Sequence, residues 1–302
     1  MISIIITTYK EKDTLPKAVQ AILNQVRTNA DLTRTEAEYE ILIVGPDQET
    51  EKIANQFARN YPEVKYLRDE GGGKPAALNL AFKEARGEIL VLTDGDVWIE
   101  KESLKYLLKP FENLKIGAVS GRPISVNPRN NLFGYWSHFL TEAAHQMRLK
   151  GKRFPCSGYL YAIRKKLVQS IPEDILSEDV VITEMVRDQG YQVVYAPEAK
   201  VYVKYPNNFK DWLEQKVRST GGYTQKLKVG NFKLRVNKAR NFVQEILYGF
   251  RLFFIYPKIL KEFYWTFLLY LARLYLWFLI FWKIRVKHKK FTELWSRIES
   301  TK

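Results

Sequence analysis

Sulfur and imidazole ligands are scarce in this sequence. Its 302 residues include one cysteine, Cys156, and three histidines. They offer neither an internal disulfide framework nor the ligands for a zinc site of Cys and His. Low-complexity linkers and internal repeats are also missing. With 46% hydrophobic and 27% charged residues, the composition excludes a disordered chain and a protein with many membrane spans.

Positive charge is concentrated in the last third of the chain. Residues 1–200 contain 27 basic and 27 acidic side chains, whereas residues 201–302 contain 21 and 6 and carry the whole net charge of +15. The first part has the charge balance of a globular domain. The last part predicts a surface for an anionic partner, which is membrane lipid, a polyanion or nucleic acid.

An apolar β-branched run, ISIIIT, occupies residues 2–7. It is too short for the apolar core of a signal peptide and no basic region precedes it. We therefore predict a strand buried on both faces and a cytosolic main domain.

Apolar periodicity predicts that strands and helices alternate over residues 1–93. This order is typical of an α/β fold with a doubly wound, mainly parallel sheet. Strands are predicted at 2–7, 40–44, 64–68 and 88–93, and helices at 13–26, 48–60 and 75–86. Later helices are predicted at 101–109, 131–149, 178–189 and 209–219, and strands at 116–122, 156–164 and 192–203.

Ligands bind such sheets at the carboxyl ends of the strands. The candidate segments are therefore those that follow the first four strands, residues 7–10, 45–47, 69–74 and 93–96.

Two carboxylates separated by one glycine, Asp94-Gly95-Asp96, end the fourth predicted strand. Carboxylates of this kind hold Mg²⁺ or Mn²⁺ and leave positions for phosphate oxygens and water. The alternative is a tight turn in which Asp and Gly have their usual conformational roles. The position at a strand's carboxyl end favours the metal site.

A glycine turn, residues 71–73, runs through Lys74 into a predicted helix. Glycines allow close backbone approach, and a lysine at a helix N-terminus attracts phosphate. The segment is not a Walker A loop, because Pro75 stands where Ser or Thr would bind magnesium. A flexible solvated turn is the alternative.

Two helical sites each have a structural and a functional interpretation. At Ser177-Glu178-Asp179, either Ser177 or Asp179 caps the helix, which is the commoner case, or one carboxylate is a general base for a hydroxyl nucleophile. Gln215 and Arg218 either bind acceptor or diphosphate or form a solvated basic helix end.

The joint order of these motifs resembles the inverting family 2 glycosyltransferases with the GT-A fold. The motifs are residues 7–11 (TTYKE), 73–79 (GKPAALN), 94–96 (DGD), 157–158 (SG) and 178–179 (ED). The resemblance covers about residues 1–225, which we predict to be the catalytic domain. Residues 226–302 are predicted to be a basic, aromatic, helical and membrane-associated region.

The resemblance implies a role for each matching residue. Asp179 would be the catalytic base, and Asp96 with Asp94 would coordinate Mn²⁺ or Mg²⁺. The donor, a nucleotide diphosphate-sugar with a UDP-sugar favoured, would contact Thr7, Tyr9, Glu11, Asp47, Lys74 and Asp94. The acceptor and diphosphate would contact Gly158, Tyr159, Glu178, Gln215 and Arg218.

Two positions depart from the family's pattern. Gly45-Pro46-Asp47 stands where the family often has Asp-Asp-Gly-Ser, so the register of Asp47 on the base is open. Ser219 replaces the tryptophan of the QxxRW motif of polysaccharide synthases, which weakens the case for processive synthesis.

An aromatic run, FYWTFLLYLARLYLWFLIFW, fills residues 263–282. Its length suits a membrane span, but Arg273 at its centre costs about 3 kcal/mol on insertion scales, and its tyrosines and tryptophans are not confined to the ends. The alternatives are an interfacial or re-entrant helix, a single crossing, or a soluble buried or dimerising helix. We expect residues 242–290 to contact membrane lipid.

The sequence thus predicts a metal-dependent, inverting glycosyltransferase at the cytoplasmic face of the membrane, acting on a glycan or lipid-linked hydroxyl acceptor. The alternatives are a nucleotidyltransferase and a non-catalytic protein that binds membranes or polyanions. Nucleic acid is not an expected partner, because the basic stretches interleave with long apolar runs.

Overall fold

The computed structural model describes residues 1–28, 39–151, 154–221, 227–229, 232–234, 251–283 and 298–301. The strands are β1 (Ile2–Thr7), β2 (Tyr39–Gly45), β3 (Val64–Arg68), β4 (Ile89–Asp94), β5 (Val97–Ile99), β6 (Ile116–Ser125), β7 (Leu160–Arg164), β8 (Gln192–Val203), β9 (Leu227–Val229) and β10 (Phe232–Leu234). The helices are α1 (Leu15–Thr28), α2 (Gln48–Asn60), α3 (Lys74–Glu84), α4 (Ser103–Leu108), α5 (Leu132–Leu149), α6 (Glu178–Asp188), α7 (Phe209–Gly221) and α8 (Leu260–Phe281).

One mixed sheet organises the described part of the chain, in the order β3-β2-β1-β4-β7-β6-β8-β5. The β3-β2-β1-β4 half is parallel, whereas β7 runs antiparallel to both β4 and β6. In register, Thr7 lies beside Val44 on one side and Asp94 on the other. The carboxyl ends of β1, β2 and β4 are therefore level, and the loops that follow them meet at one edge.

Helices cover both faces of the sheet, because the first strands are apolar on both sides. Ile4 and Ile6 face α1, α2 and α4, and Ile5 faces α3 and α6. All three side chains are fully buried. The predicted α/β class and doubly wound arrangement are confirmed.

The strand predicted at 156–164 begins only at Leu160. The backbone amides just before it donate to side chains of other elements. Cys156 N donates to Thr183 Oγ1, Ser157 N to Ser120 Oγ, and Gly158 N to Asp179 Oδ2. Amides held in this way cannot continue a ladder, so residues 156–159 form a loop that leads into β7.

α8 lies along α5 and α7. Its first half packs on α5, where Trp136 Nε1 donates to the carbonyl of Trp265 at 2.7 Å and the hydroxyls of Tyr135 and Thr266 are hydrogen-bonded at 2.7 Å. Its second half packs on α7 and the loop before α6 through Leu276 and Ile280.

Two predictions about the C-terminal region extend beyond what the structure describes. Of the lipid-contacting segment predicted at 242–290, residues 242–250 and 284–290 lie outside the described residues, as does the predicted domain boundary at 225–226.

Candidate active site

A cleft of about 1740 Å³ opens where the carboxyl ends of the first four strands face α5, α7 and α8. Each site residue selected from the sequence lines this cleft: Thr7, Tyr9, Glu11, Asp47, Lys74, Asp94, Asp96, Gly158, Tyr159, Glu178, Asp179, Gln215 and Arg218. The topology thus brings together residues from seven separate segments.

Lys74 joins two of the predicted motifs across the cleft. Its Nζ lies 2.6 Å from Asp94 Oδ1 and 2.6 Å from Glu178 Oε1. Burial by itself lowers the pKa of Lys74, but the two carboxylates outweigh burial and raise that pKa well above its usual range. The lysine is therefore a fixed positive charge between the DGD turn and the acidic pair.

Thr7 and Glu11 support the DGD turn. Thr7 Oγ1 donates to Asp94 Oδ1 at 3.0 Å, and Gly95 N donates to the Thr7 carbonyl at 2.9 Å. A Cβ at Gly95 would lie 2.6 Å from Glu11 Oε2 and 2.8 Å from Thr8 Cβ, so a larger residue would force its neighbours to move. This packing holds Asp94 and Asp96 at the cleft surface.

Asp47 links the first two loops. It accepts from Lys10 N at 2.9 Å and from Thr50 N and Oγ1 at 3.0 and 2.9 Å. Burial tends to raise the pKa of Asp47, but these hydrogen bonds outweigh burial and lower it. Asp47 therefore caps α2 and ties the loop after β1 to the start of that helix.

Asp69 is a cleft residue that the motif analysis did not select. It is 9% exposed, accepts from Gly71 N at 2.6 Å, and has a pKa raised by burial. The sequence signal for Asp69 is its position directly after β3, because ligands bind such sheets at the carboxyl ends of the strands.

The acidic pair at the start of α6 faces the cleft. Ser177 makes no side-chain capping bond, so the capping interpretation is wrong for Ser177. Asp179 Oδ2 accepts from Gly158 N at 3.1 Å, and Oδ1 accepts from the adjacent Val180 N at 2.9 Å. A bond to the next residue's amide is not a helix cap.

Burial, together with the charge of Glu178, raises the pKa of Asp179 to about 7, and Lys74 opposes the shift. A carboxylate whose pKa lies near 7 is suited to accept a proton at neutral pH.

Tyr159, Gln215 and Arg218 form the opposite side of the site. The Tyr159 ring packs edge-on against Tyr205 at 5.9 Å. Burial, followed by the charge of Asp96, raises the pKa of Tyr159, and Arg218 lowers it, which places the phenol between these two charges. Gln215 is 7% exposed, and its Oε1 has no hydrogen-bond partner among the described residues.

The donor set suits a metal that shares its coordination with substrate. No group of three or more His, Cys, Asp or Glu residues is placed to enclose an ion in the part of the chain that the structure describes. Mg²⁺ and Mn²⁺ sites that use one or two carboxylates and complete the shell with phosphate oxygens and water need no such group. Asp96 and Asp94 fit a site of this second kind.

Comparison with known proteins places these features in a family. The model of glycosyl transferase family 2 matches residues 3–171, and that of glycosyl transferase family group 2 matches residues 89–284. The probable glycosyltransferase YdaM of Bacillus subtilis is 25% identical over 273 residues, covering 84% of this chain and 63% of that protein. Poly-beta-1,6-N-acetyl-D-glucosamine synthase of Staphylococcus epidermidis is 24% identical over 233 residues, covering 74% and 54%.

A solved structure shares the fold. The mannosyltransferase PcManGT of Pyrobaculum calidifontis, in complex with GDP-Man and Mn²⁺, has a TM-score of 0.58 at 19% identity, with 83% of this chain and 71% of that chain covered.

The chain spans little more than half the length of the curated relatives it matches. The family match covers more than half of this chain and confirms the resemblance: the chain belongs to glycosyl transferase family 2.

Proposed function

We propose that the protein transfers a sugar, with inversion, from a nucleotide diphosphate-sugar to a hydroxyl acceptor. The observation that carries the proposal is the Lys74 bridge, with both ion pairs at 2.6 Å. It brings the DGD turn and the acidic pair together in one cleft, so the residues proposed to bind the leaving diphosphate and to accept the proton can act on one substrate. Family membership favours this transfer over nucleotidyl transfer and over a non-catalytic role.

The proposed reaction needs one base. The bond between the anomeric carbon and the diphosphate oxygen breaks as the acceptor oxygen attacks from the other side. The acceptor proton passes to Asp179, which is held by Gly158 N at 3.1 Å. The electron pair of the broken bond leaves with the diphosphate, so no covalent enzyme intermediate forms.

The donor half of the cleft is acidic, and a nucleotide diphosphate is anionic. Asp96, with Asp94, would hold Mg²⁺ or Mn²⁺, which when bound supplies the positive charge that neutralises the leaving diphosphate. Lys74 adds a second positive charge beside Asp94. In PcManGT the occupants are GDP-Man and Mn²⁺, which supports a nucleotide-sugar and a divalent ion here.

The nucleoside would lie over β1 and β2. Tyr9 is 38% exposed and lines the cleft, so its ring is available to stack on a base. Asp47 lines the same part of the cleft, at the start of α2. Asp69 is a further acceptor at the end of β3.

We also propose that the protein lies at the cytoplasmic face of a membrane through α8. Among the described residues, α8 is long and apolar enough to cross a membrane. Yet it packs on the catalytic domain from Trp265 to Ile280, so a crossing would draw α5 and α7 into the bilayer. An interfacial position avoids this.

The outer face of α8 fits an interfacial position. It exposes large apolar side chains at helical spacing: Leu260, Tyr264, Phe267, Leu271, Leu274, Phe278 and Phe281. Interfacial helices bury such a face in the headgroup boundary.

Nucleotide binding tests the catalytic part of the proposal. Binding of UDP, GDP, CDP, ADP and dTDP is measured by calorimetry with Mn²⁺, Mg²⁺ or EDTA, in wild type and Asp96→Ala. We expect one nucleotide, UDP being the favoured one, to bind with metal and at least tenfold more weakly with EDTA or in the variant. Absence of binding under every condition would overturn the proposal.

A further inference from the structure

Tyr161 is a fully buried tyrosine whose hydroxyl has no hydrogen-bond partner among the described residues. It lies on β7, in register between Leu92 of β4 and Ser120 of β6. A phenylalanine would fill the same space, and a buried polar group without a partner destabilises a fold. Packing therefore does not account for the hydroxyl, and its surroundings must explain it.

The side chain of Tyr161 lies beneath the junction of α3 and α6. It belongs to the apolar cluster on that face of the sheet, together with Ala77 from the first turn of α3 and Val180 from the first turn of α6. At the same two helix ends, Lys74 and Glu178 form the ion pair at 2.6 Å. The ring thus points from inside the fold toward the acidic pair.

The acidic pair acts on the Tyr161 hydroxyl. Burial raises the pKa of Tyr161 well above its usual range, and the charges that add to the rise are, in order, those of Glu178, Asp179, Cys156 and Asp94. The phenol therefore keeps its proton at neutral pH. It is an uncharged donor on the inner side of the two carboxylates.

The acidic pair has partners that do not balance its charge. Lys74 contacts Glu178, and two backbone amides donate to Asp179. Burial and the charge of Glu178 nevertheless raise the pKa of Asp179 to about 7. A hydroxyl can rotate its hydrogen toward a new acceptor, so Tyr161 can serve the pair once both carboxylates are ionised.

We infer that Tyr161 is a positioning residue for the proposed reaction: its hydroxyl turns toward the acidic pair when Asp179 ionises and holds the proposed base in the form that takes up the acceptor proton. The inference rests on the proposed function, because it concerns the base assigned there. It explains why β7 has a hydroxyl at a fully buried position.

A hydrogen bond to a carboxylate favours the ionised form, so loss of the hydroxyl should raise the pKa of Asp179 further. Charged groups on three helices also act on Asp179, namely Lys74 of α3, Arg148 of α5 and Glu178 of α6. Tyr161→Phe leaves all three in the protein. A change in that variant can therefore be assigned to the hydroxyl.

Thermal unfolding of the full chain between pH 4 and pH 9 tests the inference without a substrate. Wild type and Tyr161→Phe are each compared with the matching protein that also carries Asp179→Asn. The stability difference within each pair declines as pH rises and levels off at the folded-state pKa of Asp179. We expect the levelling-off point near pH 7 in the wild-type pair. In the Tyr161→Phe pair it should lie about one pH unit higher, a tenfold change in the acid constant.

Tyr39→Phe is the matched control. It removes another buried hydroxyl that has no partner in the described part of the chain. Tyr39 begins β2 beside Ile2, at the end of the strands opposite the cleft, so we expect the levelling-off point to stay at its wild-type pH. An unmoved point in Tyr161→Phe, an equal shift in Tyr39→Phe, or a stability difference without pH dependence in both pairs would each overturn the inference.

Metal-dependent nucleotide binding, measured on the same samples, separates this inference from the proposed function. Nucleotide binding by wild type without a shift in Tyr161→Phe overturns the inference alone. A shift in Tyr161→Phe without nucleotide binding by wild type overturns the proposed function, and the support of the acidic pair by the hydroxyl stands.

Discussion

Lys74 Nζ lies 2.6 Å from Asp94 Oδ1. The same ammonium lies 2.6 Å from Glu178 Oε1. One cation therefore links the end of β4 to the start of α6. Removing it would leave two carboxylates facing the cleft without that cation. The bridge therefore contributes both to the fold of the site and to its charge.

Lys74→Met breaks this bridge, and we expect it to lower the free energy of unfolding by about 2 kcal/mol, because partly buried charges lose their partner. We also expect nucleotide affinity to fall at least tenfold. Thermal unfolding and calorimetry measure the two effects. Lys83→Met, an exposed change on the same helix, is the control, and equal behaviour of the two variants would contradict the role given to the bridge.

Asp179→Asn removes the proposed base, and we expect transfer to fall by about 10²–10⁴-fold, the usual contribution of a general base. Nucleotide binding in the presence of metal should stay within twofold of wild type. The control is Asp188→Asn at the exposed end of the same helix. Full transfer by Asp179→Asn would exclude Asp179 as the base.

The pKa of about 7 at Asp179 predicts two opposite pH effects. The transfer rate should rise as pH increases through about 7, because only the ionised carboxylate accepts a proton. The free energy of unfolding should change the other way. The folded-state pKa of Asp179 lies above its unfolded value, so the stabilising contribution of Asp179 is present at pH 4 and is lost as pH rises through about 7.

Thermal unfolding between pH 4 and pH 9 measures that second effect. Relative to Asp179→Asn, wild type should become progressively less stable as pH rises. A stability difference that does not vary with pH would show that the pKa of Asp179 is not raised in the folded protein.

Gly95→Ala introduces a Cβ that would lie 2.6 Å from Glu11 Oε2 and 2.8 Å from Thr8 Oγ1. We expect a loss of stability of about 1–3 kcal/mol from overpacking and a loss of metal-dependent nucleotide binding, because the turn between the two aspartates must move. Gly190→Ala is the control, because nothing lies within 4 Å of a Cβ at that position. Its positive φ adds backbone strain but no overpacking. Unimpaired nucleotide binding in Gly95→Ala would contradict the packing described.

The exposed face of α8 predicts vesicle binding. Phe267, Leu271 and Phe278 are 50%, 46% and 59% exposed, and changing all three to Ser should weaken binding to anionic vesicles about a hundredfold, at about 1 kcal/mol for each half-exposed side chain. Flotation measures this. Leu114→Ser, at a residue 78% exposed just before β6, should have no effect.

An interfacial helix and a membrane-spanning helix also differ in whether alkaline carbonate extracts them from membranes. We expect alkaline carbonate to wash the wild-type protein from membranes. Full retention after that wash would favour a crossing.

The order of strands and helices over residues 1–94 and the grouping of the cleft-lining residues were predictable from local patterns, whereas the β9–β10 hairpin lies in a region that was predicted to be helical. The run of residues 2–6 has isoleucine at four of its five positions, which is typical of a strand covered on both faces. Once parallel strands are inferred, the residues that follow them must meet at one edge. For this reason Thr7, Asp47, Lys74 and Asp94 could be grouped before their contacts were known.

Other features depend on packing between distant segments, which no local pattern encodes. The pattern around Ser177 suits a helix cap, but Gly158 N and the Lys74 ammonium engage the two carboxylates instead. In the sequence, Arg273 lies at the centre of an apolar run and counts against a membrane helix. In the folded protein Arg273 lines the cleft, whereas apolar side chains of α8 face outward. Local sequence specified the elements and their chemical groups, and tertiary packing decided where each group points, because side-chain direction depends on neighbours far away in the chain.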